Sequence, residues 1–173
     1  ELSDKNTRIE RAVAMISGDK QGRIWIASEA QNLFCYDLKE QSLRNYILTE
    51  HSLVSTNVKC LTVDNSGTIW IGFYGDGLFY SKDNLKTLHP YLSPVDNEET
   101  YNDDVVSKIV LGAYNCLYIS SLKGGVKELN LTSGKLRDLL LKDENNEAIY
   151  CRTLLVYTDN ELWIGTESGV YIY

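Results

Sequence analysis

Apolar residues in this chain gather in short runs separated by polar breaks, and the runs recur. The segment "GTIWIG" at 67–72 has counterparts in "GRIWIA" at 22, "NCLYIS" at 115 and "NELWIG" at 160. Aligned on their aromatic residue, the copies place Trp25, Trp70, Tyr118 and Trp163 at separations of 45, 48 and 45 residues. A period of this length belongs to blade or solenoid architectures. Ahead of each copy stands a run, "AVAMI", "CLTV", "KIVL" or "TLLV", that is apolar at successive positions rather than alternating. Such a run suits a strand covered on both faces.

Between each pair of runs lies a tight break: "DKQG", "DNSG", "GAYN" and "YTDN". Each ends in Gly or Asn, the residues that tolerate a positive φ, so a hairpin is expected four times. A small residue, Ala27, Gly72, Ser120 or Gly165, follows each aromatic by two positions and allows close backbone approach. A third run comes next, in "NLFCYD", "GLFYS", "GVKELN" and "GVYIY"; three of its copies open on Gly77, Gly125 and Gly169, again a turn signal. A more polar fourth strand reads from "SLRNYIL", "LKTLHPY" and "KLRDLLL". Helical spacing is weak throughout, and only "SGKLRDLLLKDENNEA" holds any of it.

Four short antiparallel strands per period make a β-propeller blade. The expectation is therefore an all-β chain, 1–173, forming one propeller segment with blades near 7–49, 50–92, 100–142 and 148–173. The last blade stops without an outer strand unless residues 1–8 supply it. An open solenoid of hairpins is the competing architecture.

The copies carry a resemblance. The order of Val, an apolar pair, Asp, two residues, Gly, an apolar residue, "WIG", a short gap, Gly and Leu resembles the two-component regulator propeller repeat. Its clearest copy is "VKCLTVDNSGTIWIGFYGDGL", from Val58 to Leu78. The first copy departs at Ala27 and Asn32, the third at Gly112, Asn115 and Tyr118, and the fourth at Tyr157, which stands where the Asp would be. The resemblance implies an extracytoplasmic, periplasmic sensing region of a hybrid two-component sensor kinase of Bacteroidetes, responsive to carbohydrate-derived signals. Such regions are larger than four blades, so the chain reads as a piece of a larger propeller, in keeping with the absence of an initiating Met. The implied partners are an oligosaccharide, other blades or domains of the parent chain, and further copies of itself, since an uncovered end blade offers an apolar face and an unpaired edge.

Composition sets the remaining bounds. At 173 residues, 43% apolar and 24% charged, the chain can build an ordinary globular core. Its net charge of −7 disfavours nucleic acid and anionic membranes as partners. No stretch is apolar for the roughly 20 residues a bilayer crossing needs. The cysteines Cys35, Cys60, Cys116 and Cys151 sit in or beside apolar runs and read as buried free thiols.

A residue repeated in every blade is packing, which assigns the aromatic position to the scaffold rather than to sugar stacking. Ligand contacts are expected where the copies differ, in the loops after the "WIG" strand: Glu29, Gln31, Tyr74, Asp76, Lys123 and Glu167, with His51, Asn57 and Asp96–Asp104 from the connections between blades. A merely solvated loop face is the competing reading. Chemistry is harder to find. His51 and His89 occupy different parts of the repeat, and no His, Cys or carboxylate set has metal-ligand spacing. "GTESG" lacks a nucleophile at the required place, and the acidic run at 96–104 lacks the rhythm of a calcium loop. No catalytic residue, cofactor or metal is expected. The rival functions are a propeller enzyme cleaving polysaccharide, as a lyase or glycosidase, and a protein-interaction propeller.

Overall fold

Each apolar run folds as a strand and each polar break as its turn. The structure is a computed structural model that describes residues 12–28, 32–48, 57–91, 105–122, 124–140, 142, 144–146 and 149–173. The first sheet contains β1 (Val13–Gly18), β2 (Arg23–Ser28), β3 (Asn32–Asp37) and β4 (Ser42–Ile47). The second contains β5 (Val58–Val63), β6 (Ile69–Phe73), β7 (Leu78–Ser81) and β8 (His89–Pro90). The third contains β9 (Val106–Leu111), β10 (Cys116–Ser121), β11 (Val126–Asn130) and β12 (Leu136–Leu140), and the last β13 (Cys151–Thr158), β14 (Glu161–Thr166) and β15 (Val170–Ile172). Every sheet is an antiparallel meander in chain order. Among the described residues there is no α-helix, and the weakly helical stretch contributes the strand β12. The expected closing strand from residues 1–8 lies outside the described residues.

The sheets stack as propeller blades. Strand β1 lies against β5, β5 against β9 and β9 against β13, so the first strand of each sheet is the inner one. No comparable contact joins β13 to β1 among the described residues. The stack buries three separate cores, one per junction. Trp25, Ala27 and Leu33 of the first blade meet Leu61, Ile69 and Ile71 of the second. Cys60, Trp70 and Leu78 meet Ile109, Leu117 and Ile119. Val126 and the partly buried Tyr118 meet Leu154, Leu162 and Ile164. Burying each Leu or Ile contributes about 1.5–3 kcal/mol relative to exposure. The repeated aromatic fills these junctions: Trp25 is 0% exposed and Trp70 6%.

The turn between the first two strands explains why the repeat writes Asp, two residues, Gly, two residues, Trp. Asp64 Oδ1 accepts hydrogen bonds from the Ser66 and Thr68 backbone N–H groups at 2.9 and 3.0 Å, while Oδ2 accepts the Trp70 indole N–H at 2.9 Å. Asp19 does the same for Gln21, Arg23 and Trp25. The side chain thus satisfies turn donors and fixes the rotamer of the packing indole together. Gly22 and Gly67 close these turns at φ 81° and 87°, and Asn115 occupies the same region at 59° in the third. The fourth differs. Asn160 does not adopt a positive φ; Thr158 pairs directly with Glu161 after a register shift between Val156 and Thr158.

Close approach explains the small residue after the aromatic. A β-carbon at Gly72 would come within 2.5 Å of Cys60 Sγ and 2.6 Å of Val106 Cγ1. All four thiols are free and buried, as their apolar settings predict.

Candidate functional site

The inner strand of every blade carries the same irregularity. Pairing skips one residue between Val13 and Met15, between Val58 and Cys60, opposite the Ser120/Ser121 step, and between Cys151 and Thr153. The unpaired residues are Ala14, Lys59, Ser107 and Arg152. A bulge of this kind re-aims a side chain at the rim of a sheet. The backbone device is constant while the residue it presents changes from Ala to Lys to Ser to Arg. That combination, fixed scaffold with variable chemistry, is what a ligand-reading position requires.

These bulges lie at the same blade end as the loops after β2, β6, β10 and β14. Lys59 places its ammonium 5.3 Å from the centroid of the Tyr74 ring, a cation–π pair. The Tyr74 backbone N–H donates to Asn57 at 2.9 Å, and Tyr74 bridges to Val105 at the entrance to the third blade. The Tyr74 ring stays half exposed. Ser107 donates to the Cys151 carbonyl at 2.8 Å and pairs with Ser120 at 2.8 Å, tying the third blade to the fourth. Arg152 pairs with Glu167, and both are exposed. The Glu167 backbone N–H donates to the Tyr150 carbonyl.

Of the sequence-predicted residues, Tyr74 and Asp76 share the β6–β7 turn, with Asp76 partly buried, and Glu167 stands two blades away in the β14–β15 turn. Glu29, Gln31, Lys123, His51 and the Asp96–Asp104 run lie outside the described residues. Sequence reasoning missed Lys59, Ser107 and Arg152. Their only signal is that position 13 before the "WIG" glycine and its counterparts interrupt otherwise apolar runs with Lys59, Ser107 and Arg152.

Two clefts open at the opposite end of the blades. The larger, about 530 Å³, lies between the second and third blades and includes Trp70, Tyr80, Tyr91, Lys82 and Asn115. Its rings pack on one another, with Trp70 centroids 5.4 Å from Tyr80 and 5.6 Å from Tyr91. The second, about 420 Å³, occupies the equivalent place between the third and fourth blades and includes Tyr118, Glu128 and Arg137. There Arg137 forms a bidentate pair with Glu128, both bonds 2.9 Å, which holds the guanidinium firmly protonated. The polar groups are engaged internally: Asp64 accepts on both oxygens, and the Tyr91 hydroxyl donates to the Gly134 carbonyl at 3.3 Å. A cleft that repeats with the blades and has its polar groups so engaged is a product of stacking.

Among the described residues, no three His, Cys, Asp or Glu side chains gather as a metal site, and no helix is long and apolar enough to cross a membrane.

Comparison with known proteins agrees with the repeat. Residues 52–75 match the family model described as the two component regulator propeller, so the resemblance read from the four copies holds. No curated protein matches the sequence. Among solved structures, the chain is similar to a domain described as the extracellular part of the one component system BT4673 from B. thetaiotaomicron, at 15% identity and a TM-score of 0.73. That alignment covers 98% of this chain and 22% of the other. The corresponding domain of the hybrid two component system BT3049 from B. thetaiotaomicron aligns at 21% identity and a TM-score of 0.71, over 94% of this chain and 23% of the other. A catalytically inactive virginiamycin B lyase from Staphylococcus aureus aligns at 20% identity and a TM-score of 0.68, over 96% and 57%. The fold is therefore that of a β-propeller, of which this chain is a fragment relative to these structures.

Proposed function

We propose that the chain is a non-catalytic segment of the periplasmic propeller of a hybrid two-component sensor, and that its loop end binds a carbohydrate-derived ligand. The observation that carries this reading is the two-component regulator propeller repeat at 52–75, within blades that align over almost the whole chain with two extracellular system domains. The bulges support a site at this end of the blades. Lys59 with Tyr74, and Arg152 with Glu167, offer ring face, cation and carboxylate at the end where the copies diverge. Asp76 shares the β6–β7 turn with Tyr74, and Glu29, Gln31 and Lys123 stand in the corresponding segments of the other repeats in the sequence. A sugar stacks its apolar face on a tyrosine ring and directs its hydroxyls to charged neighbours. Binding across loops of adjacent blades favours one blade arrangement over another, and a sensor transmits that shift of population.

The fold likeness to the lyase favours a second reading, an enzyme. It requires an acid and a base free to face one substrate, and Asp64, the one carboxylate among the residues lining the larger cleft, accepts internal hydrogen bonds on both oxygens.

Titration calorimetry of the 173-residue chain against a panel of oligosaccharides tests the proposal. Binding is expected to weaken about tenfold in Tyr74→Ala and in Lys59→Ala, by loss of stacking and of the cation. Tyr80→Ala, in the cleft at the other end, leaves affinity unchanged. No binding by any oligosaccharide, binding lost only with Tyr80, or cleavage of a polysaccharide overturns it.

A further inference from the structure

The outer turns of the three four-stranded blades span equal lengths of chain but do not share one conformation. Cys35 faces Arg44, Tyr80 faces His89 and Glu128 faces Arg137, each pair nine residues apart. In the first and third blades the ladder runs on toward the turn, to Tyr36 with Leu43 and Leu129 with Leu136, and one residue is left-handed, Gln41 at φ 50° or Gly134 at φ 70°. In the second blade the ladder stops at Tyr80 and His89. Its turn instead holds two left-handed residues, Asn84 at φ 58° and Leu85 at φ 66°. A leucine is costly there because its β-carbon crowds the backbone, and such an outlier persists only where its surroundings hold it.

The surroundings that hold it belong to the first blade as well as the second. Leu85 is buried in the core between those two blades, the one that contains Trp25 and Leu33. Its N–H donates to Ser81 Oγ at 2.9 Å, and Asp83 ties the turn by accepting from the Thr87 hydroxyl at 2.6 Å and the Thr87 N–H at 3.0 Å. Asn84 Oδ1 accepts from the Arg23 guanidinium at 3.2 Å, and its Nδ2 donates to the Tyr46 hydroxyl at 3.4 Å. Arg23 and Tyr46 stand one period before Thr68 and Tyr91, two residues that line the open cleft at the second junction. Asn84 therefore bridges, at the first junction, the place where the second is open. Its counterparts bond within their own blades: the Lys39 N–H donates to Asp37, and Thr132 accepts from Asn115.

We infer that the β7–β8 turn is a latch with two arrangements. Closed, as in this structure, it seals the first junction with Leu85 and Asn84. Open, it takes the form of the equally long turns in the first and third blades, pairing Ser81 with Leu88 and placing Lys86, the counterpart of Gln41 and Gly134, in the left-handed region. Opening gives up the burial of Leu85 and the two bonds of Asn84; it restores ladder pairing and leaves one left-handed residue fewer. A segment with two discrete packings of this kind is a switch element. The open state leaves beside Trp25 and Tyr46 a cleft like those at the second and third junctions. The latch lies at the blade end opposite the Lys59 and Tyr74 loops, and its argument does not rest on what those loops bind.

Amide hydrogen exchange of the 173-residue chain, followed residue by residue by NMR, tests this. The Leu85 N–H is expected to exchange through a local opening, at least about tenfold faster than the amides of Ile69–Phe73, which open with the whole fold. Lys86→Gly, at an exposed position, favours the open turn by removing the left-handed cost there, and should speed Leu85 exchange about tenfold further while leaving the β6 amides unchanged. Asn84→Ala acts in the same direction by removing both bridging bonds. Acrylamide quenching of tryptophan fluorescence rises in both variants as Trp25 becomes accessible. Leu85 exchanging in step with β6 in all three proteins makes it a fixed part of the core and overturns the inference. So does a Leu85 rate that neither substitution changes, or faster exchange with tryptophan quenching unaltered, which is a frayed turn over a junction that stays shut.

Discussion

Gly112 lies directly under the ring of Tyr118: a β-carbon at 112 would come 2.5 Å from Cε2 and 3.1 Å from Cδ2. In the first two blades this turn position is Asp and the aromatic six residues later is Trp, joined by a hydrogen bond. The third blade replaces both members, exchanging a polar clamp for steric fit. Gly112→Ala is therefore expected to destabilise the chain by about 1–3 kcal/mol through overpacking against a partly buried ring. Combining it with Tyr118→Leu should cost less than the sum of the two single changes, since the clash disappears with the ring. Urea unfolding of the four proteins in the cycle measures this.

Asp64 tests the polar version of the same unit. Asp64→Ala leaves the Ser66 and Thr68 backbone N–H groups and the Trp70 indole without their acceptor, and about 2–3 kcal/mol of stability is expected to go. Asp64→Asn keeps one oxygen for the turn but sets an amide N–H₂ against the indole N–H, so it should recover only part of the loss. Denaturant midpoints rank the three proteins.

Acid should weaken the fold progressively. Burial alone would raise the Asp19 carboxyl, but the hydrogen bonds from the Trp25 indole and from Arg23 outweigh it and hold the group below the usual carboxylate range. Asp83 is brought down to about 2 by the Thr87 hydroxyl and backbone N–H, with Ser81 adding to them, and Asp37 is lowered by the N–H groups of Glu40 and Lys39. Groups depressed on folding stabilise fully above their unfolded pKa, near 4 for Asp, and lose that contribution as pH falls through the folded value. The melting temperature should hold near neutrality and decline from about pH 4 toward pH 2, with a shallower decline in Asp83→Asn. Calorimetry across that range provides the check.

The cysteines should be silent toward thiol reagents. Burial pushes Cys60 up to about 12 and Cys35 and Cys151 to about 11, and it raises Cys116 as well. The thiolate is the reactive form. Ellman's reagent at mildly alkaline pH is expected to label none of the four in the native chain and all four in denaturant; rapid labelling of the native chain would contradict the burial.

Much of this was legible in the letters. Trp25 and Trp70 announce the junctions, Gly22 and Gly67 the hairpins, and Gly72 the tight approach of neighbouring blades, because each is dictated by contacts that recur with the period. The bulges at Lys59, Ser107 and Arg152 were not, since a skipped pairing leaves no residue type of its own and shows only when two strands are laid side by side. The clefts escaped for a related reason: the Tyr91 hydroxyl meets Gly134 from a different blade, a partnership no single repeat contains. The fourth hairpin forms as expected but without a positive φ at Asn160, because a second register shift in β13 pairs Thr158 directly with Glu161.

The pairing register also says where this polypeptide accommodates changes in length. Trp25 faces Cys35, Trp70 faces Tyr80 and Tyr118 faces Glu128; beyond them Cys35 faces Arg44, Tyr80 faces His89 and Glu128 faces Arg137. Those intervals are identical in the first three blades, while in the fourth Trp163 faces Ile172, one residue sooner; the extra residues that lengthen the second period fall between His89 and Val106. Changes in length thus fall at the joints and, in the fourth blade, in the turn between β14 and β15. A codon gained between Asp64 and Trp70 would part the carboxylate from its indole, whereas one gained between blades leaves every junction as it was, and lineages of such repeats can be expected to vary in length at the joints and at the loop end of the blade, and not within the Asp-to-Trp turn.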